Sequence, residues 1–346
     1  MRTVPLGRAG LHVAEGGIPI QRLTHDEAVA VVRGCLDLGV TLIDTAHGYT
    51  TSEERIGAAI AGRREGLVLA SKTPAGTGPE AEAHLAESLR RLGVDRIDLY
   101  QLHGVSDEER WREVTAPGGP LDVLRAAQRS GLIDHIGITS HQLDVAKEAV
   151  RSGYFATVMF PLNLVAREPG LELLEVCRET GVAFLAMKPL AGGMLEDARL
   201  AFGFLRQFSD VIPVVGIERL SEMAEIVALY ETAPAPGDRE RDEMERIRQE
   251  LGTTFCRRCD YCQPCPAQIR ISTVMNMPSM MKRMPPASIF GQGWARSAID
   301  AVAECQDCGE CEARCPYKLP IRARMAEVVE AYREAARAWE AAGADG

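Results

Sequence analysis

Short apolar runs alternate with amphipathic stretches along the first two thirds of the chain. The runs Leu42–Thr45, Leu67–Ser71, Ile97–Leu102, His135–Thr139, Thr157–Leu162, Val182–Met187 and Val211–Ile217 are brief and largely unbroken by charge. That pattern predicts strands covered on both faces, as in a parallel sheet. Between them, stretches such as Thr24–Leu38, Ala81–Leu92 and Leu121–Arg129 repeat apolar residues at three- and four-residue spacing. This spacing predicts helices with one core-facing stripe. Gly39, Gly93, Gly131, Gly153 and Gly181 fall where those helices should end, as C-terminal caps do. A first strand near Gly16–Ile20 brings the count to eight β–α units, so the expected α/β fold is a (β/α)8 TIM barrel. A doubly wound sheet is the alternative, but no G-x-G-x-x-G follows the first strand, which counts against it.

The alternation ends near residue 231. Thr232–Asp238 (TAPAPGD) reads as a linker, being rich in Pro and Ala. A charged helix, Arg239–Leu251, follows. Residues 252–346 hold a cysteine-rich segment with a helical stretch, Ser272–Met281, and close on an Ala/Arg/Glu-rich helix. The expected organisation is a barrel over 1–231, a linker and helix over 232–251, and a small, mostly helical domain over 252–346.

Composition narrows the function. A net charge of −10 with no basic stripe argues against nucleic-acid binding. No apolar run is long enough to span a membrane. The first residues lack the apolar core of an export signal, so a cytoplasmic protein is expected. Of ten cysteines, Cys35 and Cys177 stand alone in helical patterns and read as small buried apolar residues.

The other eight form two motifs: Cys256-x2-Cys259-x2-Cys262-x2-Cys265-Pro266 and Cys305-x2-Cys308-x2-Cys311-x3-Cys315-Pro316. Structural zinc favours separated C-x2-C pairs. Cysteine triplets followed by Cys-Pro instead suit [4Fe-4S] clusters, and in two-cluster ferredoxins the fourth cysteine of each run serves the other cluster. Two clusters are therefore expected in a ferredoxin-like domain. Cys256, Cys259, Cys262 and Cys315 would hold one; Cys305, Cys308, Cys311 and Cys265 would hold the other.

Catalytic groups of a barrel enzyme gather at the C-terminal ends of its strands. Strand two ends in Asp44-Thr45-Ala46-His47-Gly48-Tyr49, strand three in Ser71-Lys72, and strand four in Gln101-Leu102-His103. Acid, phenol, amine and imidazole thus meet at one mouth. A lysine cation lowers the pKa of a nearby tyrosine, and such a tyrosine can protonate a carbonyl oxygen as hydride reaches the carbon.

These residues resemble the aldo-keto reductase family. Asp44-Thr45-Ala46-His47-Gly48-Tyr49, Ser52-Glu53 and Gly57 are similar to its D-T-A-x-x-Y-G-x-S-E-x-x-x-G signature, with Thr50 in place of the glycine after the tyrosine. The cysteine motifs resemble those of its branch with a C-terminal 4Fe-4S domain. The resemblance implies Tyr49 as general acid/base, Lys72 and Asp44 as its tuning pair, and His103 orienting a small-molecule carbonyl or alcohol substrate. It implies NADP(H) or NAD(H) held by Thr139, Ser140, Asn163, Met187, Leu190, Gly192 and Gly216. Glu218 beside Arg219, where the family often has basic residues for a 2′-phosphate, leaves the choice of nicotinamide open. Hydride moves two electrons and each cluster carries one, and no flavin motif is visible, so the two halves cannot exchange electrons simply. The clusters would be structural, redox-sensing or coupled to a redox partner protein. A rival expectation is an electron-transfer protein whose barrel is a binding scaffold with little carbonyl turnover.

Overall fold

The computed structural model describes residues 12–14, 23–252, 254–258, 260–315, 317–341 and 343, with backbone alone at 12–14 and 283. Eight parallel strands close into a barrel in sequence order. They are β1 (His12–Ala14), β2 (Leu42–Asp44), β3 (Val68–Thr73), β4 (Ile97–Leu102), β5 (Ile133–Thr139), β6 (Thr157–Pro161), β7 (Ala183–Met187) and β8 (Val211–Val215). The barrel closes through β1, whose His12 pairs with Leu42 on one side and Val214 on the other. The first strand therefore lies before the expected Gly16–Ile20, which falls outside the described residues.

The barrel helices are α1 (His25–Asp37), α2 (Ser52–Ile60), α3 (Gly78–Leu92), α4 (Glu108–Thr115), α5 (Pro120–Arg129), α6 (Leu143–Arg151), α7 (Glu168–Thr180), α8 (Ala198–Leu205) and α9 (Leu220–Thr232). α1 and α3 start on capping boxes, Thr24 with Glu27 and Thr77 with Glu80. Each box satisfies backbone N–H groups that the first helical turn leaves orphaned. Between β4 and β5 the chain makes two helices, α4 and α5.

Side-chain alternation along the strands sets the barrel interior. Leu42, Ala70, Leu99, Met159, Leu185 and Val214 form a buried apolar layer. Two residues further along β2, β3 and β4, on the same face, stand Asp44, Lys72 and Gln101, all buried. The interior thus turns polar at the C-terminal ends of the strands. Gly137, on β5 in register with Gln101, makes this possible: a Cβ there would meet Thr157 Oγ1 at 2.4 Å and Gln101 Cγ at 2.8 Å.

The chain divides into two compact units, and Gly192–Met194 group with the second, which otherwise spans Asp238–Gly346. That unit contains α10 (Asp238–Gly252), α11 (Ile271–Arg283), α12 (Pro286–Phe290), α13 (Trp294–Asp300), a 3-10 turn (Ala301–Glu304), α14 (Glu310–Arg314) and α15 (Ile321–Ala341). Among its described residues the regular elements are all helices, and the cysteine runs lie largely in the loops between them. Its core joins Val274, Met275, Met277, Ile289, Ile299, Met325, Val328 and Tyr332 to the buried Cys262, Cys311 and Cys315. Met280, Met281 and Met284 pack against that core, as flexible thioethers filling uneven space do.

Candidate functional site

The polar end of the barrel is built on one ion pair. Lys72 Nζ donates to Asp44 Oδ2 at 2.5 Å and to the Thr45 carbonyl at 2.6 Å. Asp44 and Lys72 are only 2% and 1% exposed. The other carboxylate oxygen, Oδ1, accepts from Gln101 Nε2 at 3.0 Å. Burial pushes the Asp44 carboxyl up, against the pull of Lys72 and Gln101. A buried pair of this kind holds because each charge has a partner and further hydrogen bonds.

Above the pair sits Tyr49, with Lys72 Nζ 5.3 Å from its ring centroid. Its hydroxyl lies 3.5 Å from His103 Nε2, and the two rings meet edge to face at 5.5 Å. Burial, aided by the Lys72 charge, lowers the His103 pKa to about 3. His103 is thus a neutral imidazole beside the phenol. The four residues read from strand ends come together.

The signature residues around Tyr49 fix the loop that carries it. Ser52 Oγ and Thr45 Oγ1 are 2.6 Å apart, and buried Glu53 accepts from Ser71 Oγ at 2.6 Å. These bonds tie α2 to β2 and β3. Gly57 is required by close packing, since a Cβ would stand 2.6 Å from the Arg91 carbonyl oxygen. Thr50 keeps a left-handed backbone at φ 43°, a conformation that suits glycine and costs a β-branched residue. His47 stacks on His84 at 3.9 Å, and burial lowers its pKa. Gln101 escaped the sequence reading. Its signal was a polar residue in the interior register of an otherwise apolar strand.

The residues read as nicotinamide contacts are placed less simply. Thr139 Oγ1 accepts from the Gly104 N–H at 2.8 Å. Ser140 Oγ donates to the Gln142 carbonyl and accepts its N–H, both at 3.2 Å. Asn163 is committed to its own loop: Oδ1 accepts from Val165 and Ala166, and Nδ2 donates to the Lys188 carbonyl. Lys188 Nζ lies 3.1 Å from His141 Nε2. Met187 ends β7, opposite Pro161. Lys188, Ala191, Gly192 and Gly193 all have positive φ, and the Ala191 N–H closes a turn on the Lys188 carbonyl at 2.9 Å. Leu190 is part-buried within this loop, and Gly216 follows β8, also part-buried.

In the second unit, one cavity is walled by Cys262, Cys265, Cys305, Cys308 and Cys311, with Ile269, Ile271 and Met325 behind them. An all-sulfur donor set in an apolar lining fits an iron–sulfur cluster. Cys262 and Cys265 of the first motif thus share this cavity with Cys305, Cys308 and Cys311 of the second. Cys305 and Cys308 are exposed, whereas Cys311 is buried. Cys256, Cys262 and Cys315 belong to the same core region; Cys259 lies outside the described residues. Asn276 and the Arg258 backbone N–H bond to Cys256. Tyr317 packs on the core beneath Arg257, 4.0 Å from its ring centroid, while Tyr261 is exposed. Cys35 and Cys177 are buried, with thiols pushed up to about 12 by burial, as befits packing residues.

A barrel with an acid, amine, phenol and imidazole at one mouth defines an oxidoreductase-type site. The family model of the aldo/keto reductases matches residues 10–201, more than half of the chain, and the chain belongs to this family. Residues 255–320 match the model of a 4Fe-4S dicluster domain. Among curated relatives, "Uncharacterized oxidoreductase YqkF" of Bacillus subtilis is 31% identical over 218 residues, covering 58% of this chain and 68% of that protein. A D-threo-aldose 1-dehydrogenase of a Pseudomonas species is 28% identical over 237 residues, covering 57% of this chain and 71% of that protein. Among solved structures, the holo form of aldo-keto reductase AKR11C1 from Bacillus halodurans has a TM-score of 0.59 at 21% identity, covering 68% of this chain and 91% of that one. A Klebsiella pneumoniae aldo-keto reductase in complex with NADPH has a TM-score of 0.57 at 23% identity, covering 69% and 90%. These structural likenesses bear on the fold. No described helix is long and apolar enough to cross a membrane.

Proposed function

We propose that this protein reduces a small-molecule carbonyl, or oxidises the matching alcohol, with a nicotinamide cofactor, and that it carries two [4Fe-4S] clusters. The observation that carries the first part is the buried Asp44–Lys72 pair beneath Tyr49, with a neutral His103 beside it. The Klebsiella enzyme's complex with NADPH supports the choice of cofactor class. Reduced nicotinamide, when bound, supplies the hydride.

The chain supplies the rest. Tyr49 gives its hydroxyl proton to the substrate carbonyl oxygen, which becomes the alcohol oxygen. The Lys72 charge favours the phenolate left behind. Asp44 fixes Lys72 there, and Gln101 fixes Asp44. His103, uncharged, holds the carbonyl oxygen in line by a hydrogen bond without competing as an acid. In the alcohol-oxidising direction the Tyr49 phenolate takes the proton back. Thr139 and Ser140 are the proposed partners of the carboxamide. Met187 would face the nicotinamide ring, the loop through Leu190 and Gly192 the diphosphate, and Gly216 the far end of the cofactor; Asn163 would shape that loop.

For the clusters, Cys305, Cys308, Cys311 and Cys265 are assigned to one, and Cys256, Cys259, Cys262 and Cys315 to the other. The cavity that Cys265 shares with Cys305, Cys308 and Cys311 is compatible with the first set; Cys262 faces it too, and the spacing of the two runs carries the division. A redox partner protein would exchange single electrons with them, and a cytoplasmic setting suits reduced thiols.

Steady-state turnover of a panel of aldehydes and ketones with NADH and NADPH tests the catalytic reading. Tyr49→Phe should lower kcat by about 10²–10⁴-fold with little change in Tm. Undiminished turnover in that variant would sink the proposed acid.

A further inference from the structure

Arg322 lies in the first turn of α15 and lines the cysteine cavity with Cys262, Cys265, Cys305, Cys308 and Cys311; its hydrogen bonds go to residues of the second motif. Its guanidinium spans the second motif. One nitrogen donates to Asp307 Oδ1 at 2.6 Å and, more weakly, to the Asp307 carbonyl at 3.2 Å. Another donates to Glu312 Oε2 at 2.8 Å. Asp307 precedes Cys308 and Glu312 follows Cys311, so one cation clasps both ends of the ligand loop. The Glu312 carboxylate also accepts the Arg322 backbone N–H at 3.0 Å, tying the start of α15 to that loop. Gly309, at φ 75°, lets the loop pass the guanidinium: its Cβ position is 3.9 Å from Arg322 Cζ. Arg314, also on the cavity wall, is paired with Glu310 at 2.7 Å.

The two assigned ligand sets differ in exposure. Cys305 and Cys308 are exposed, with Cys311 buried and Cys265 intermediate, while in the other set Cys262 and Cys315 are buried and Cys256 intermediate. We infer that Arg322, through its Asp307–Glu312 bridge, is the positioning residue that sets the reduction potential of the solvent-facing cluster and leaves the other cluster alone. The inference rests on the two-cluster reading above. Its physical basis is charge. A thiolate-ligated cluster is anionic and gains one more negative charge on reduction, so a nearby cation raises its potential and a nearby anion lowers it. Arg322, Asp307 and Glu312 together carry one net negative charge. Removing the guanidinium makes that two; neutralising Glu312 makes it zero. Opposite shifts must follow. The guanidinium is about one-third exposed, so solvent screens part of the effect.

The test is an anaerobic redox titration of the full-length holoprotein, read by EPR with dithionite as the electron source, after iron and sulfide analysis. Arg322→Gln should shift one midpoint negative, with about a tenfold change in that cluster's one-electron equilibrium, or about 59 mV. Arg322→Lys, which keeps the charge, should stay near wild type. Glu312→Gln should shift the same midpoint positive. Midpoints unmoved in both Arg322→Gln and Glu312→Gln, or two clusters shifted equally, would overturn the inference while leaving the two-cluster reading standing. Should Arg322→Gln fail to hold its iron, Glu312→Gln decides alone: a positive shift of one midpoint supports the inference and no shift overturns it. Wild-type protein with far less than about eight irons per chain overturns both.

Discussion

Lys72 Nζ stands 2.5 Å from Asp44 Oδ2 inside the barrel, and water reaches neither side chain to any useful extent. Two charges brought out of water in this way are stable only together. The pair is both the structural keystone of the mouth and the electrostatic support of Tyr49.

Breaking it from one side should therefore cost more than activity. Lys72→Met leaves the Asp44 carboxylate buried without its counter-ion, an expected loss of about 3–5 kcal/mol. The double variant Asp44→Asn/Lys72→Met should recover most of that stability and none of the turnover. Urea unfolding of the three proteins checks the first expectation, and steady-state kinetics the second.

His103 makes a pH prediction. Burial lowers its pKa from 6.5 to about 3 in the folded protein, so between those values the unfolded chain binds a proton that the folded one refuses. The stability associated with neutral His103 is fully present above pH 6.5 and is lost as pH falls towards 3. The unfolding midpoint should drop across that window, and His103→Gln should flatten the drop. For the same reason kcat/KM should show no acid limb from His103 near pH 6–7. A limb there that disappears in His103→Gln would contradict its neutrality.

Gly137 is expected to be intolerant of even one methyl group. Its missing side chain is filled by Thr157 Oγ1 and Gln101 Cγ at 2.4 and 2.8 Å from the Cβ position. Gly137→Ala must displace Gln101 and loosen its bond to Asp44. About 1–3 kcal/mol of destabilisation is expected, with kcat falling more than KM changes. Gly137→Ala combined with Gln101→Ala and Thr157→Ala, which removes both close contacts, should regain stability without regaining kcat.

Thr50 offers the reverse. Its left-handed backbone strains a β-branched side chain. Thr50→Gly should relieve that strain and raise stability by about 1 kcal/mol, visible as a rise of a few degrees in Tm, with Tyr49 still active.

Cys265→Ser tests the cluster wiring. It should remove the cluster whose other ligands are Cys305, Cys308 and Cys311, cutting iron to about four per chain. If Cys265 instead completed a cluster with its own run, the surviving EPR signal would be that of the exposed cluster, the one Arg322 bridges.

Much of the architecture is carried by local pattern. Seven of the eight strands follow from short apolar runs bounded by glycine-capped helices, because a strand covered on both faces has few other ways to be built. The first strand was misplaced, since three residues carry too little periodicity to locate it. The tetrad was legible because barrel topology makes strand ends converge, so Asp44, Tyr49, Lys72 and His103 could be brought together without coordinates. The 4Fe-4S dicluster domain was legible because its cysteines recur at a spacing that suits cluster ligation.

Tertiary structure decided the rest, for one physical reason: hydrogen-bond partners and solvent exposure are properties of packing across the chain. The sequence offers Gln101 and Gly137 as ordinary strand residues; only barrel closure sets one against Asp44 and empties the other to make room. It offers Thr139, Ser140 and Asn163 as contacts for a cofactor; only the folded loops commit Asn163 to its neighbours. It names the cysteines in two runs, and only the helical unit brings Cys262 and Cys265 to one cavity with Cys305, Cys308 and Cys311, leaves Cys305 and Cys308 at the surface and stretches Arg322 across their loop.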